Sequence, residues 1–302
     1  MSMRDHLRGG LAHLPPGARR QVLHALGRYA PWEVGFDFTP PSLRPGEEAG
    51  PPDFVGIGVQ KAGTTWWYDL VLSHPEVTGH DDIHKERHYF DRFGAQAMLP
   101  SDIDRYHGWF PRRKGTKTGE WTPDYFAYPW VPPLLARAAP DTRLLLLLRD
   151  PVERFRSGLD HHARMGQPRD GAAIADAVQR GFYDRALGGW LEHFDRDRLL
   201  VLQHEQCTKD PHGELERTFR HLGLAPHHPP DALRPGPTSS LTRRPLDPDV
   251  RDQLVHLYAP DITALADRLP DLDLSLWPNF AYLAPDAGPP SEAPGPGSYS
   301  PT

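Results

Sequence analysis

Three short, continuous apolar runs constrain the fold of this chain more than any other feature. They are DFVGIGV (53–59), TRLLLLLR (142–149) and RLLVLQ (198–203), and each is tied to a segment with the apolar spacing or starting residues of a helix. Apolar runs of strand length without polar alternation are typical of strands buried on both faces of a parallel sheet. The sequence therefore predicts an α/β fold, with a parallel β-sheet flanked by helices on both faces and right-handed crossovers.

Proline-rich segments at both ends of the chain limit the predicted domain to residues 53–283. Residues 1–52 are expected to contain one helix, over residues 17–29, and a connector, TPPSLRPGEEAGPP, whose prolines exclude a helix or a central strand. Residues 284–302 are rich in Pro, Gly and Ser and have little to bury, which predicts a disordered tail.

The last helical pattern of the domain, over residues 247–269, predicts an amphipathic helix with a kink at Pro260. Its expected buried face is formed by Val250, Leu254, Leu257, Ile262 and Leu265. No internal repeat is visible in this segment or elsewhere in the chain.

Composition and charge argue against several classes of protein. The 302 residues carry a formal net charge of -6 at pH 7, whereas general nucleic-acid binding requires a basic surface. No run of 18 or more apolar residues occurs, and the N-terminus lacks the apolar core of a secretion signal. The single cysteine, Cys207, excludes an internal disulfide and a cysteine-based zinc site. We therefore expect a cytoplasmic protein with no membrane span and no nucleic-acid partner. The sequence leaves open whether the protein is a monomer or a homodimer.

The loop after the first apolar run, GVQKAGTTWW (58–67), is similar to a phosphate-binding loop with a displaced lysine. In the Walker A pattern, G-x-x-x-x-G-K-[ST], Gly58 and Gly63 would be the two glycines, and Thr64 stands where the lysine belongs. A strand, a glycine turn and a helix start offer N–H groups and a positive dipole end to an anion. The position of Lys61 favours a ligand with one 5′-phosphate joined to a transferable group, such as a phosphosulfate. The alternatives are a P-loop kinase or NTPase, which needs the missing lysine and magnesium, and a strand–helix turn without a ligand.

Three motifs in this order resemble those of the sulfotransferases that use 3′-phosphoadenosine 5′-phosphosulfate (PAPS). KAGTTWW (61–67) is similar to their 5′-phosphosulfate loop. RLLLLLRDPVERFRSGLDHH (143–162) is similar to their 3′-phosphate motif, a buried strand ending in arginine, then D/N-P and a helix that bears a serine. IHKERHYFDRF (83–93) is similar to the K-E-x-H-F-F-D segment of the heparan sulfate 3-O-sulfotransferases and their bacterial relatives, a group that includes the N-sulfotransferases. The resemblance implies the P-loop-like sulfotransferase fold, PAPS as co-substrate, PAP as product and no required metal.

The resemblance also implies a donor site built by the first two motifs. Lys61 would stabilise charge on the departing 5′-phosphate, and Arg149 with Ser157 would hold the 3′-phosphate. The alternative for Arg149 is a surface ion pair with Asp150 or Glu153. The other residues expected to bind the nucleotide are Ala62, Gly63, Thr64, Thr65 and Trp66, with Arg243 or Arg244 of a late basic loop.

A second group of residues is implied on the acceptor side. Glu86 is expected to be the general base for the acceptor hydroxyl, and His88 is the alternative base. In an extended segment these two would face one way, with Lys85 and Arg87 facing the other. The resemblance places Asp91 in the same site.

One position departs from the family pattern. GEWTPDYF (119–126) has Trp121 where the glycosaminoglycan enzymes would have a lysine that contacts the sulfuryl region. Trp121 could pack against an apolar or aromatic acceptor or fill the core, and either role disfavours a glycosaminoglycan acceptor. The expected acceptor is a small molecule or saccharide with a hydroxyl, and a catalytically inactive nucleotide-binding protein is a further alternative. His80, His84 and His88 repeat every four residues, but their surroundings indicate a loop, so we predict no metal site there.

Overall fold

The computed structural model describes residues 39–79, 85–164, 166, 170–229 and 245–285, along with residues 18, 22 and 23. The predicted helix over 17–29 and the predicted tail lie almost entirely outside these ranges, as do His80, His84, Arg243 and Arg244. The domain bounds at residues 53 and 283 stay predictions.

The strands confirm the predicted α/β fold with a parallel sheet. They are β1 (Glu47–Ala49), β2 (Phe54–Gly58), β3 (Pro111–Arg113), β4 (Gly119–Trp121), β5 (Arg143–Leu148) and β6 (Leu199–Gln203). Four of them form a parallel sheet in the order β4–β2–β5–β6. All of β2 and all of β5 after Arg143 are buried, so both faces of the two central strands are covered, as their unbroken apolar sequences require.

A two-stranded antiparallel ribbon joins the connector to the rest of the fold. β1 pairs with β3, and Glu47 lies opposite Arg113. Regular structure therefore begins before Asp53, the predicted start of the domain. The prolines of the connector exclude a central strand but leave room for a short ribbon at the edge.

Helices follow the strands in the predicted succession. Within the described residues they are α1 (Thr64–Leu72), α2 (Pro100–His107), α3 (Val131–Ala138), α4 (Pro151–Arg164), α5 (Gly171–Gln179), α6 (Tyr183–Leu191), α7 (His204–Lys209), α8 (Pro211–Leu222) and α9 (Pro248–Arg268). Short 3₁₀ turns lie at Asp91–Gly94, Pro123–Ala127, Arg196–Arg198, Leu274–Leu276 and Ala281–Leu283. In the part of the chain that the structure describes, none of the helices has the length and apolar character needed to span a bilayer.

The last helix, α9, differs from its predicted pattern in its buried face. Helical structure runs from Pro248 through Pro260 to Arg268, and the kink at Pro260 stays a prediction. Its buried residues are Leu254, Tyr258, Ile262 and Leu265. Val250 and Leu257, which were expected to be buried, are 41% and 43% exposed. The stripe at spacings of four, four and three residues is narrower than the predicted face, and Tyr258 takes the position expected for Leu257.

Candidate functional site

The carboxyl ends of three neighbouring strands bring the predicted donor residues together. β2 leads into the loop that contains Lys61, β5 ends one residue before Arg149, and β6 is followed directly by His204. Because the strands are parallel and adjacent, these ends meet at one edge of the sheet. The Arg149 guanidinium donates a hydrogen bond to the Lys61 carbonyl at 3.0 Å. The predicted 3′-phosphate arginine therefore contacts the predicted 5′-phosphate loop.

The loop turns through two residues with left-handed backbone. Gly63 has φ +88° and Lys61 has φ +69°. A Cβ atom at position 63 would lie 2.9 Å from Nδ1 of His204, so glycine is needed there for space as well as for conformation. The same region costs a lysine about 1–2 kcal/mol, and such strain is found where function shapes a loop. Sequence analysis did not assign His204, although its position directly after a predicted parallel strand was the signal for it.

Helix α1 presents its N-terminus to the loop without a side-chain cap. Gly63 is the cap residue, and Thr64 and Thr65 form the start of the first turn. Uncapped N–H groups and the positive end of the helix dipole favour an anion at this place. The N–H group of Ala62 donates to the Val59 carbonyl at 3.3 Å and is thus engaged inside the loop.

The ammonium of Lys85 lies against the start of this helix. Its Nζ atom donates to Oγ1 of Thr64 at 2.9 Å and to Oγ1 of Thr65 at 3.1 Å. It also lies 3.3 Å from Oε1 of Glu86. The prediction that Lys85 faces away from Glu86 is therefore wrong, because the long lysine side chain bends back toward the loop. This contact joins the predicted base to the predicted donor loop.

A buried carboxylate fixes the backbone of the segment that carries the predicted base. Glu120, at the centre of β4, is fully buried and accepts hydrogen bonds from the hydroxyls of Tyr106 at 2.7 Å and Thr122 at 2.6 Å. Oγ1 of Thr122 in turn accepts from the N–H groups of Arg87 at 2.9 Å and His88 at 3.3 Å. The segment is thereby held at the carboxyl end of β4.

His88 is surrounded by carboxylates. Its Nδ1 atom lies 2.8 Å from Oδ2 of Asp91 and 3.7 Å from Oδ2 of Asp124, and its Nε2 atom lies 3.4 Å from Oε2 of Glu86. Hydrogen bonds to Asp91 and Glu86 raise the pKa of His88 to about 10, so the imidazole is protonated at neutral pH. The hydrogen bond from His88, assisted by the charge of Lys85, lowers the pKa of Glu86. These states favour Glu86 over His88 as the proton acceptor.

Asp124 and Arg180 complete the cluster, and sequence analysis assigned neither. Arg180 forms an ion pair with Asp124, and its guanidinium carbon lies 5.6 Å from the centre of the Tyr128 ring. Ligand atoms of His88, Asp91 and Asp124 lie within 4.8 Å of one another, a spacing that could hold a metal ion. Arg180 and protonated His88 already bring positive charge to these carboxylates. That no metal is required stays a prediction.

Asp150 does not form the alternative ion pair considered for Arg149. Its carboxylate accepts hydrogen bonds from N–H groups at the start of α4 and from the backbone and side chain of Asn279. Arg149 lies 3.9 Å from the Glu153 carboxylate, at the limit of an ion pair. Ser157 is half-buried on α4. Binding of a 3′-phosphate by Arg149 and Ser157 stays a prediction.

The two tryptophans assigned to the site differ in exposure. Trp121 is fully buried, its indole N–H donates to the Gly58 carbonyl at 3.1 Å, and a Cβ at Gly56 would lie 2.0 Å from its ring. The structure therefore supports the core role of Trp121 and contradicts its assignment to the acceptor, because the ring has no exposed surface. Trp66 is partly buried, edge-on to Trp67 at 5.1 Å. Its indole nitrogen is buried and has no hydrogen-bond partner among the described residues.

The raised pKa of His88 predicts that the free energy of unfolding depends on pH. A group whose pKa is about 10 in the folded protein and 6.5 in the unfolded chain stabilises fully below pH 6.5, and this contribution is lost as the pH rises toward 10. We expect the difference in free energy of unfolding between the wild type and His88→Gln to be largest near pH 6 and to shrink toward pH 10. Urea unfolding across this range measures it, with His212→Gln, at an exposed histidine, as the control. A difference that does not change with pH would contradict the protonated state of His88.

The chain is similar to several known proteins. Residues 51–235 match the family model described as "Sulfotransferase domain". The mouse heparan sulfate glucosamine 3-O-sulfotransferase 3B1 is 32% identical over 190 residues, which are 57% of this chain and 46% of the mouse protein. The mouse 3-O-sulfotransferase 6 is 30% identical over 200 residues, 61% of this chain and 56% of that protein. The chain thus spans about half the length of the curated relatives it matches. A sulfotransferase from Alicyclobacillus acidocaldarius has the same fold, with a TM-score of 0.62 and 22% identity over 75% of this chain and 98% of that one.

Proposed function

Because the chain belongs to the sulfotransferase domain family, we propose that it transfers the sulfuryl group of PAPS to a hydroxyl of a small-molecule or saccharide acceptor. One observation carries the proposal. The Lys85 ammonium contacts both threonine hydroxyls of the candidate donor loop and the Glu86 carboxylate, at 2.9, 3.1 and 3.3 Å. The proposed base and the uncapped start of α1 therefore lie side by side, which supports the proposal because group transfer from a bound phosphosulfate needs the base close to the donor.

The proposed reaction is an in-line displacement at sulfur. The acceptor oxygen forms a bond to sulfur as the bond from sulfur to the 5′-phosphate oxygen breaks, and Glu86 takes the hydroxyl proton. Lys61 and the start of α1 stabilise the negative charge that develops on the leaving phosphate. The products are the sulfate ester, PAP and protonated Glu86, which returns its proton to solvent.

A cavity beside the His88 cluster supports an acceptor with an apolar portion. Its volume is ≈ 400 Å³, within the range of small-molecule sites, and Arg180, the ion-pair partner of Asp124, forms part of its wall. The aromatic side chains that line it are Phe126, Tyr128, Phe182 and Trp190. The relatives named for heparan sulfate suggest a saccharide acceptor, whereas the tryptophan at position 121 weighs against a glycosaminoglycan. A cytoplasmic compartment stays a prediction.

Ligand-dependent stability tests the donor. Adenosine 3′,5′-bisphosphate (PAP) is expected to raise the temperature of the unfolding midpoint. At a concentration 100 times its Kd, bound PAP adds about 2.7 kcal/mol to the free energy of unfolding. ATP with magnesium is expected to do much less, because the loop lacks the lysine of a polyphosphate site. Stabilisation by ATP with magnesium alone would instead support a P-loop kinase or NTPase. No response to either ligand would overturn the donor assignment.

The acceptor is found by incubating the protein with PAPS and a panel of phenols, alcohols and saccharides. Mass spectrometry then detects the sulfated product. If the protein binds PAP but neither sulfates any panel member nor hydrolyses PAPS to free sulfate, the result would favour the alternative of an inactive nucleotide-binding protein on the same fold.

A further inference from the structure

Lys85 is a partly compensated cation at the candidate donor site. Its side chain is only 14% exposed, and burial lowers its pKa. Its nearest carboxylate, Glu86, is shared with His88, and Asp69 is the other negative group close by. Removing an ammonium from water is costly unless negative charge accompanies it. The balance around Lys85 therefore favours a further anion at the start of α1.

The hydrogen bonds of Lys85 also set the direction of two hydroxyl groups. A threonine hydroxyl has one hydrogen to donate, and an ammonium can only donate. Because Thr64 and Thr65 accept from Lys85, their own hydrogens are directed away from it. Both hydroxyls are thereby prepared to donate to an acceptor at the helix N-terminus, where the dipole also favours negative charge.

Trp121 lies next to Lys85 and supplies no positive charge to the candidate donor site. The N–H group of Trp121 donates to the Lys85 carbonyl at 3.2 Å, so the backbones of the two residues lie side by side. Trp121 points into the core and brings no charge to the surface of the site. Lys85 reaches the loop from the adjacent segment and supplies an ammonium there.

We propose that Lys85 is a second cationic ligand of the donor, acting on the 5′-phosphate together with the hydroxyls of Thr64 and Thr65. This inference rests on the proposed function and adds a donor-binding residue to it. Lys61 then acts from the loop, and Lys85 from the segment that carries the base. Because Lys85 also contacts Glu86, donor binding and placement of the base share one side chain.

Two nucleotides that differ only in the 5′-phosphate test the role of Lys85. Calorimetric titration measures binding of PAP and of adenosine 3′-phosphate to the wild type and to Lys85→Met. We expect the variant to lose about 10- to 100-fold in affinity for PAP, as for a hydrogen bond to a charged group, and to bind adenosine 3′-phosphate nearly as the wild type does. Lys85→Arg, which keeps the charge, should retain part of the preference for PAP. The matched control is Lys209→Met, at an exposed position on α7.

The outcomes separate this inference from the proposed function. If the wild type binds neither nucleotide, the donor assignment fails and the role of Lys85 fails with it. If the wild type prefers PAP and Lys85→Met keeps that preference, the role of Lys85 is overturned and the donor stands. An equal loss of both nucleotides would show a structural role only, and would also overturn it. Should Lys85→Met not fold, Lys85→Gln, which keeps hydrogen-bonding capacity without charge, is expected to show the same selective loss of PAP.

Discussion

Glu86→Gln is expected to lower kcat by a factor of about 10² to 10⁴, the range for loss of a general base, while the affinity for PAP stays nearly unchanged. Glutamine has the shape of glutamate and can still accept the hydrogen bond from His88, but it cannot take the acceptor proton. His88 is not expected to replace the base, because its hydrogen bond to Asp91 remains and keeps its pKa high. Initial rates with PAPS and the hydroxyl compound found by the screen measure kcat.

The control for Glu86→Gln is Glu192→Gln, at an exposed carboxylate just after α6. Its kcat should equal that of the wild type. Near-normal kcat in Glu86→Gln would move the base to His88, and His88→Gln would then be the variant with the large loss. A fall in PAP affinity that equals the fall in kcat would instead make Glu86 a residue that shapes the donor site.

The sheet could be predicted because its strands are buried on both sides. Five consecutive leucines, Leu144–Leu148, have neither the spacing of an amphipathic helix nor the alternation of a half-exposed strand, and with Arg143 they form β5. The three-residue strands could not be predicted in this way, since Gly119–Trp121 is too short to show a period and its pairing depends on β2. For α9, the spacing of apolar residues gave a face, but only tertiary contacts decide that Tyr258 is buried and Leu257 is exposed.

The candidate site was predictable where the sequence itself sets local geometry. Gly63 and Lys61 lie in a strand–turn–helix loop whose motif can be recognised, and the structure finds left-handed backbone at both. The contacts of Lys85 with the donor loop and of Arg180 with Asp124 depend instead on long side chains that cross between elements. Their partners lie 21 residues away at Thr64 and 56 residues away at Asp124. Residues so far apart in the sequence share no local pattern, so these contacts could be seen only in the folded structure.

Lys61→Ala is expected to lower kcat by about 10² to 10³, the range for removing one group that stabilises charge in the transition state. Lys85 and the start of α1 remain, so PAP should still bind and kcat should fall more than the affinity for PAP. Alanine is the informative replacement because residue 61 has φ +69°. It keeps the cost of left-handed backbone that lysine bears, whereas glycine would relieve that cost and change stability as well as charge.

Three measurements decide whether Lys61 acts on the leaving phosphate or only anchors the donor. The free energy of unfolding of Lys61→Ala should stay within about 0.5 kcal/mol of the wild type, as for a substitution outside the core. Initial rates give kcat and the KM for PAPS, with Lys209→Ala as the matched control at an exposed lysine. A normal kcat with a raised KM would mean that Lys61 binds the ground state and the transition state equally, which contradicts the proposed role. A lowered kcat with a nearly unchanged KM is the expected result, because the negative charge on the bridging oxygen exists only as the bond from sulfur to that oxygen breaks.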